Sequence, residues 1–411
     1  MLRILHTADW HLGHVLNGWS RLAEHRAAFD ALAAIVERDA IDALIVAGDV
    51  FDTANPPAEA RALFFDTLDR LSRLRPQLVT VVVAGNHDHA AQLEAPGPLY
   101  RRAGVRVVGT VHRADGGIDL DHHLIAIGAG ADAGHVLALP YPRPSDLPAG
   151  LAPLADGSNP RIAAVRALYA DAVAAARARI GDGPLILTGH LTVAGGEESP
   201  GSERMIMIGG ENAVPHDVFP ADVAYVALGH LHKPQAAGRA NVRYSGSLFP
   251  LSAAERDYRH GVTRLDIDAG RVVHTHLELP RPVPFLRLPA RGTLAVAEVE
   301  AALAGLDLSP DLPLDRRPFV HIVVGVDGPA TGLLAEIEAI VERFPVRLAS
   351  RPEFVRPAPT ETLAAAAPMR RLAEIDPVEL FRAAFELRHG TPPGDAHEQA
   401  FRQLVAGDAS A

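Results

Sequence analysis

Short apolar runs alternate with amphipathic helical stretches from residue 1 to about residue 280. This alternation is typical of an α/β fold in which helices cover the faces of a sheet. The helical stretches are predicted at Arg21–Asp39, Pro57–Leu74 and Arg161–Ile180. The predicted strands are Leu2–His6, Ala43–Ala47, Leu78–Ala84, Val105–Val108, Leu124–Ile127, Leu185–Thr188, Val223–Leu228, Val242–Tyr244, Val262–Ile267 and Val272–Leu277.

A smaller α+β unit is predicted after a boundary at Pro280-Arg281-Pro282. Its elements are predicted in the order strand, helix, strand, helix, strand, at Phe285–Leu288, Val296–Ala304, Phe319–Val326, Gly332–Arg343 and Val346–Ala349. We therefore predict a first domain over residues 1–280, a second over 281–351, and a tail over 352–411.

The tail is predicted to begin with a linker rich in Pro, Ala and Thr, over about residues 352–368. Two amphipathic segments follow, at Pro377–Leu387 and Ala396–Val405. Such segments either pack on the protein's own core or bind a partner, and the sequence favours neither alternative.

The composition limits the chemistry that this chain can perform. It has no cysteine, which excludes disulfides, thiolate–zinc sites and cysteine nucleophiles. No apolar run approaches the roughly 18 residues that a membrane span needs, and the amino terminus is predicted to be a strand, so we expect a cytoplasmic protein. The net charge of −11 argues against binding nucleic acid through overall positive charge. A partner would then supply much of any grip on nucleic acid.

Polar motifs follow five of the predicted strands. They are Asp9-Trp10-His11, Gly48-Asp49-Val50-Phe51-Asp52, Gly85-Asn86-His87-Asp88, Gly189-His190 and Gly229-His230-Leu231-His232. Ligands of open α/β sheets bind at the carboxyl ends of strands, and glycine lets the backbone turn sharply beside a ligand. Carboxylate, amide and imidazole ligands together favour Mn²⁺, with Fe²⁺ and Zn²⁺ as alternatives.

The motifs supply enough ligands for two divalent ions. One ion would bind Asp9, His11, Asp49 and His232, and the other would bind Asp49, Asn86, His190 and His230. Asp49 would then bridge the two ions. A pair of ions about 3.5–4 Å apart activates water and stabilises an in-line displacement at phosphorus. Each motif alone is a weak signal, but all five in order predict a phosphoesterase centre.

His87 belongs to neither set of ligands and is flanked by Asp88. An imidazole oriented by a carboxylate can stabilise a transition state or protonate a leaving oxygen, so we predict that His87 and Asp88 are catalytic. Asp52 is compatible with orienting a ligand, approaching substrate or capping the next segment. Other histidines are expected at the surface, namely His112, His122, His123, His135, His216 and His260.

At these five motifs the chain resembles the calcineurin-like metallophosphoesterase superfamily. The resemblance narrows to the SbcD family of bacterial nuclease subunits over six stretches, five of which contain these motifs, namely Ile4–Gly13, Val46–Thr53, Ala84–Asp88, Gly189–Thr192, Ala227–His232 and Tyr244–Ser247. The resemblance covers essentially the whole chain. It implies a β-sandwich flanked by helices, a small α+β capping domain over 281–351, and C-terminal helices that dock on an SbcC-type ATPase.

The same resemblance implies Mn²⁺-dependent 3′-to-5′ exonuclease activity on double-stranded DNA ends and endonuclease activity on hairpins, in DNA repair, recombination and replication. It also implies a homodimer within a heterotetramer with the ATPase. The family's metal ligands fall on Asp9, His11, Asp49, Asn86, His190, His230 and His232, and its catalytic histidine falls on His87. Asp52 stands where archaeal and eukaryotic relatives often carry histidine, which favours the bacterial branch.

Two alternatives remain at this point. A nucleotidase, cyclic-nucleotide phosphodiesterase or phosphoprotein phosphatase would use the same metals, although the Asp-Trp-His-Leu-Gly opening and the appended domains favour a nuclease. A non-catalytic scaffold for the ATPase would have little reason to keep a full set of carboxylates and imidazoles, because burying unused polar groups destabilises a fold.

Overall fold

The computed structural model describes residues 1–130, 133–147, 159–200, 203, 213–268, 270–326, 332–356, 376–389 and 392–408. Residues 1–356 form one compact unit and residues 357–411 form a second. The predicted boundary near residue 280 lies inside the first unit and stays a prediction. Residues 357–368 of the predicted linker lie outside the described residues.

The elements are labelled in chain order. The strands are β1 (Leu2–Thr7), β2 (Val15–Leu16), β3 (Trp19–Ser20), β4 (Ala43–Ala47), β5 (Val79–Val83), β6 (Val105–Val108), β7 (Arg113–Ala114), β8 (Gly117–Ile118), β9 (Leu124–Ile127), β10 (Gly134–Leu137), β11 (Leu185–His190), β12 (Tyr225–Gly229), β13 (Gln235–Ala237), β14 (Arg239–Tyr244), β15 (Gly261–Asp268), β16 (Arg271–Glu278), β17 (Phe285–Leu288), β18 (Phe319–Gly325), β19 (Arg347–Leu348) and β20 (Glu353–Val355). The α-helices are α1 (Leu22–Arg38), α2 (Ala58–Leu74), α3 (Ala90–Glu94), α4 (Gly97–Arg102), α5 (Leu120–His123), α6 (Pro160–Ile180), α7 (Val299–Ala304), α8 (Leu333–Val341), α9 (Pro377–His389) and α10 (Asp395–Asp408).

Two six-stranded sheets form the centre of the first unit. Their strand orders are β16-β15-β1-β4-β5-β6 and β13-β14-β12-β11-β10-β9. Strands β1, β4, β5 and β6 are parallel in the first sheet, and β10, β11, β12 and β14 are parallel in the second. The predicted α/β sandwich flanked by helices is therefore confirmed.

Successive side chains of a strand point to opposite faces of its sheet. In both sheets, each face is buried. Ile4 of β1 lies in the core between the sheets, with Ile186 and Tyr225 of the second sheet. The next residue, Leu5, points to the opposite face, where α1 and α2 cover the first sheet. Helix α6 covers the outer face of the second sheet. The resulting order of layers is helix, sheet, sheet, helix, and the ends of the strands lie at the edges of this sandwich.

A third sheet lies in the part of the chain beyond residue 280. Strand β18 pairs with β17, β19 and β20, all in parallel. Helices α7 and α8 pack on it through a core that includes Val299, Leu303, Ile337 and Val341. Strand β20 lies where the linker was expected to begin. It was not predicted because prolines at positions 352 and 357 flank its three residues and dominate the local composition.

Two histidines that were predicted to lie at the surface are buried. His123 and His260 are 0% and 2% exposed. Their ring nitrogens contact backbone oxygens: His123 Nδ1 donates to the carbonyl of Ala138 at 2.7 Å, and His260 Nε2 lies 3.0 Å from the carbonyl oxygen of Glu255. A buried imidazole that is hydrogen-bonded in this way costs little, so the expectation for these two residues was wrong.

The second unit contains α9 and α10. Phe381 stacks on Phe401 with ring centroids 4.4 Å apart, and Arg382 donates hydrogen bonds to Glu398. Both predicted amphipathic segments are thus helical. In the part of the chain that the structure describes, no helix is long and apolar enough to cross a membrane.

Candidate metal centre

The five predicted motifs stand at the carboxyl ends of β1, β4, β5, β11 and β12. The first three strands belong to one sheet and the last two to the other. Backbone hydrogen bonds join the motifs across this edge, for example from the Asp9 N–H to the Gly48 carbonyl at 3.0 Å. The sandwich therefore brings polar residues from both sheets to one place.

Asp9, His11 and His232 form the first group of candidate ligands, and all three are buried. The Nε2 atoms of His11 and His232 lie 3.2 Å apart. Asp9 Oδ1 accepts the backbone N–H of His230 at 2.8 Å, whereas its Oδ2 is buried with no hydrogen-bond partner among the described residues. A buried carboxylate oxygen without a donor is costly in a protein, and a divalent cation would satisfy it.

Asp49, His190 and His230 form the second group. Asn86 joins it through its Oδ1 atom, which is 2.9 Å from His190 Nε2. Asp49 Oδ2 lies 3.3 Å from His190 Nε2 and 3.6 Å from His11 Nε2. Asp49 thus stands between the two groups, at the position predicted for a bridging carboxylate. The structure brings together all seven predicted ligands.

The backbone is strained where these ligands lie. Eight non-glycine residues in the described part of the chain have positive φ angles, and four of them are Asp9, His11, Asp49 and His230. Strained backbone of this kind persists when the surrounding structure enforces it, and it concentrates at functional sites. Gly85 is equally constrained, since a Cβ atom there would lie 2.0 Å from Asp49 Oδ1.

His87 lies beside both groups, with its Nε2 atom 3.9 Å from Asp49 Oδ2. Its Nδ1 donates to the backbone carbonyl of Asp52 at 2.7 Å. The Asp88 carboxylate instead accepts the backbone N–H groups of Val50, Phe51 and Gly85 at 3.1, 2.9 and 2.8 Å. The sequence had indicated that Asp88 orients His87, but the Asp88 carboxylate contacts backbone N–H groups and not the His87 ring. It fixes the loops that carry Asp49 and Asn86, because a buried carboxylate satisfies several backbone donors at once.

Sequence reasoning missed one residue and left another open. Glu255, in a 3₁₀ turn, is buried and lies 2.8 Å from His232 Nδ1. Sequence analysis missed Glu255 because its segment contains no other residue of the site. Asp52 Oδ1 lies 3.2 Å from His11 Nδ1 and 3.1 Å from His14 Nδ1. Of the three alternatives for Asp52, the structure favours orientation of a ligand.

In three of the four ligand histidines, namely His11, His190 and His232, the second ring nitrogen is held by the protein. His190 Nδ1 donates to the Ala47 carbonyl at 2.9 Å, and the Nδ1 atoms of His11 and His232 face Asp52 and Glu255. Such contacts fix the ring and its tautomer, leaving Nε2 to bind a metal ion. This pattern is characteristic of a metal site.

The charges of the site depend on protons when no ion balances them. Burial raises the pKa of Asp9 to about 7, although nearby histidines lower it. Burial acts to lower the pKa of His232, but the nearby carboxylates, Glu255 foremost, together raise the pKa to about 10. Burial also acts to lower the pKa of His190, but Asp49 and other nearby groups raise this pKa to about 9. A divalent ion would replace these protons, so its binding is coupled to proton release.

In a comparison with known proteins, two family models match separate parts of the chain. The model of the calcineurin-like phosphoesterase family matches residues 2–234. A model described as the type 5 capsule protein repressor C-terminal domain matches residues 281–389. The first match covers more than half of the chain and includes all seven candidate ligands.

Three relatives are SbcD subunits of the nuclease SbcCD. The SbcD protein of Rhodobacter capsulatus is 50% identical over 391 residues, which cover 93% of this chain and 94% of the relative. That of Bacillus subtilis is 40% identical over 66% of this chain and 67% of its own length. That of Escherichia coli strain K12 is 33% identical over 84% of each chain. The chain therefore belongs to the calcineurin-like phosphoesterase family and, within it, to the SbcD family of nuclease subunits, which are phosphodiester hydrolases.

Proposed function

We propose that this protein cleaves DNA with two divalent metal ions, of which Mn²⁺ is favoured, as a 3′-to-5′ exonuclease on double-stranded ends and an endonuclease on hairpins. The observation that carries the proposal is the convergence of seven buried or half-buried ligands and His87 at one edge of the sandwich. The ligands are Asp9, His11, Asp49, Asn86, His190, His230 and His232. DNA repair, recombination and replication are the processes in which such an activity would be used.

The residues fit two ions by their chemistry. The buried Oδ2 atom of Asp9 lacks a donor among the described residues, and Asp49 faces ligands of both groups. When bound, the ions would supply an activated water and charge stabilisation at phosphorus. The role of the protein is to hold the ligands in place through Asp52, Glu255 and the Ala47 carbonyl, and to keep the site compact.

His87 is positioned to act on the substrate rather than to bind a metal ion. Because its Nδ1–H donates to the Asp52 carbonyl, its Nε2 is the atom that can gain or give a proton. That atom faces the site near Asp49. A protonated Nε2 would donate to a phosphoryl oxygen or to the leaving oxygen, which stabilises the developing charge. Asp88 supports this role indirectly, by holding the loop backbone.

An SbcC-type ATPase is the proposed partner. The net charge of −11 leaves this chain poorly suited to holding DNA alone. Helices α9 and α10 supply amphipathic surface, including Leu380, which is 47% exposed. We propose that this tail docks on the ATPase. Residues 281–351 act as a capping domain that positions DNA. The assembly is a heterotetramer that contains a homodimer of this chain, and it works in the cytoplasm.

The deciding experiment is cleavage of an end-labelled DNA hairpin by the purified chain and its ATPase partner, with Mn²⁺ and ATP. The test variant is His87→Ala. The matched control is His89→Asn, which changes an exposed histidine two residues away and keeps a side chain that can cap α3. Metal content is measured on all three proteins.

We expect the wild type and His89→Asn to cut the hairpin, and His87→Ala to be inactive with a normal metal content. Loss of metal together with activity in His87→Ala would contradict the separation of roles. An uncut hairpin in an intact, metal-loaded complex would favour a phosphodiesterase of small substrates. A duplex labelled at either the 3′ or the 5′ end reports the polarity of the exonuclease.

A further inference from the structure

A second cluster of metal-ligating side chains lies outside the candidate metal centre. Glu94, His112 and His122 each offer an atom within 4.8 Å of those of the others. The Nε2 atoms of His112 and His122 lie 2.7 and 2.5 Å from the same Glu94 oxygen, Oε1. Glu94 ends α3, His112 follows β6, and His122 lies in α5. The tertiary fold, and not local sequence, therefore brings these three side chains together.

The two imidazoles face the same point. Their ring centroids are 3.8 Å apart, with planes at 32° to each other. Their Nε2 atoms converge on one carboxylate oxygen of Glu94, within reach of a single bound ion. His122 Nε2 approaches Glu94 closely, yet makes no hydrogen bond of acceptable geometry within the described residues.

The cluster is held in place by the buried His123. The backbone N–H of His112 donates to His123 Nε2 at 2.8 Å, and His123 Nδ1 donates to the Ala138 carbonyl at 2.7 Å. Both nitrogens of His123 are thus used to fix the loop that carries His112. Thr110 Oγ1 lies 3.2 Å from His112 Nε2. A site whose ligands are positioned in this way loses little entropy when it binds an ion.

The cluster is also open on one side. The side chains of Glu94, His112 and His122 are 17%, 37% and 28% exposed, and they line a cavity that includes Arg106. The cavity therefore brings solvent next to the cluster, although the His122 Nε2 atom itself is buried. Two imidazoles and a carboxylate, with water in the fourth position, are a common ligand set of tetrahedral Zn²⁺.

We propose that Glu94, His112 and His122 form a mononuclear Zn²⁺ site, separate from the two-metal centre. The site would link the ends of the two sheets, since β6 is an edge strand of the first and β9, which follows α5, is an edge strand of the second. An ion bound only by the folded chain stabilises it by mass action. This stabilisation does not depend on the proposed DNA substrate.

The test counts zinc ions in the full-length chain. The protein is stripped with a chelator, incubated with excess Zn²⁺ and passed through gel filtration, and zinc per chain is measured by mass spectrometry. The variants are the double substitution His112→Asn/His122→Asn and the single substitution Glu94→Gln. The control is His274→Asn, which changes a half-buried histidine on β16. Circular dichroism reports whether each protein folds.

We expect the double variant to retain one zinc ion fewer per chain than the wild type, and the control to retain the wild-type number. Zn²⁺ should raise the melting temperature of both cluster variants less than that of the wild type. Mn²⁺-dependent phosphodiesterase activity should be unchanged, because none of the three residues belongs to the metal centre.

Equal zinc in the wild type and the cluster variants would overturn the proposal and leave a metal-free ion-pair cluster. An equal loss in His274→Asn would also overturn it, because the loss would not be specific. If the double variant does not fold, the zinc content of Glu94→Gln decides, since glutamine keeps the size and shape of the side chain.

Discussion

His232 Nδ1 lies 2.8 Å from the carboxylate of Glu255, and both side chains are buried. Glu255 also accepts the backbone N–H of Leu251 at 3.0 Å through its other oxygen. The carboxylate therefore fixes the His232 ring with Nε2 turned toward Asp9 and His11. A carboxylate behind a metal-binding imidazole increases the basicity of that imidazole and its affinity for metal.

We predict that Glu255→Gln weakens metal binding about 10- to 100-fold. A glutamine has a single acceptor oxygen, so it cannot serve both His232 and Leu251, and it carries no charge. The measurement is the Mn²⁺ concentration that gives half-maximal hydrolysis of a small phosphodiester. Glu278→Gln, on the exposed end of β16, is the control. An unchanged Mn²⁺ requirement in Glu255→Gln would exclude this role for Glu255.

A second prediction concerns the buried pair of Arg21 and Glu24. The Arg21 guanidinium donates to both Glu24 oxygens at 2.5 and 2.7 Å, and it stacks over the ring of Phe319 at 4.6 Å. Removing one partner leaves a buried charge, which typically costs about 3–5 kcal/mol. We expect Arg21→Ala to lower the free energy of unfolding by about this amount in urea titrations.

The double variant Arg21→Ala/Glu24→Ala provides the control for this pair. Because it removes both charges of this pair, we expect it to be less destabilised than the sum of the two single variants, by about 1–3 kcal/mol. Arg347, whose guanidinium lies 3.9 Å from Glu24, loses this carboxylate equally in Glu24→Ala and in the double variant. Additive losses would show that the two side chains stabilise the fold independently of each other. Since Phe319 belongs to β18, the same variants test whether this pair stabilises the packing of the third sheet.

The sequence predicted the sandwich and the ligands because both depend on local patterns. Buried parallel strands are apolar runs, and each ligand lies at the end of a strand or within four residues of it, as Asp49 lies two residues after β4. Both signals can be read from a few neighbouring residues. Knowledge of strand order was not needed to predict that the ligands meet.

The sequence did not predict features that depend on tertiary contacts. Glu255 and His123 look like ordinary surface residues in their own segments, and only the fold shows what they contact. Asp88 was expected to orient His87 because the two residues are adjacent in the sequence, but its carboxylate accepts backbone N–H groups of other residues instead. Strand β20 was missed because its three residues become a strand only by pairing with β18.

Gly85 provides a test of how closely the chain packs around the metal centre. A Cβ atom at this position would lie 2.0 Å from Asp49 Oδ1 and 2.3 Å from the Asp49 backbone nitrogen. We expect Gly85→Ala to displace Asp49 and to reduce phosphodiester hydrolysis by at least about 100-fold. Gly97→Ala is the control, since its nearest neighbour would be an arginine side-chain nitrogen at 3.5 Å. Full activity in Gly85→Ala would show that the loops can shift without harm.

The tail can be tested by removing the second unit. We predict that a chain ending at residue 356 no longer associates with the ATPase in gel filtration, but still hydrolyses a small phosphodiester, because the candidate metal centre lies wholly within the first unit. Leu380→Asp should weaken association in the full-length chain. Leu99→Asp changes another exposed helical leucine and should have no effect. Association of the truncated chain at wild-type strength would rule out docking through α9 and α10.

His6 makes the stability of the fold depend on pH. It is fully buried, with Nδ1 3.1 Å from the Tyr225 hydroxyl and Nε2 3.1 Å from the Leu228 carbonyl oxygen. A neutral ring satisfies both contacts, accepting from the hydroxyl and donating to the carbonyl. Burial lowers its pKa from 6.5 to about 3. Between these two values the unfolded chain binds a proton that the folded chain does not, so the stability contributed by neutral His6 is lost as the pH falls below 6.5.

The expected loss between pH 7.5 and pH 5.5 is about 1.4 kcal/mol from His6 alone. We predict that the free energy of unfolding of the wild type falls by this much more than that of His6→Gln over the same interval. Glutamine does not titrate and can donate to the Leu228 carbonyl, while all other titrating groups are shared and cancel in the comparison. Urea titrations at the two pH values provide the measurement. Parallel losses in the two proteins would mean that folding does not lower the pKa of His6.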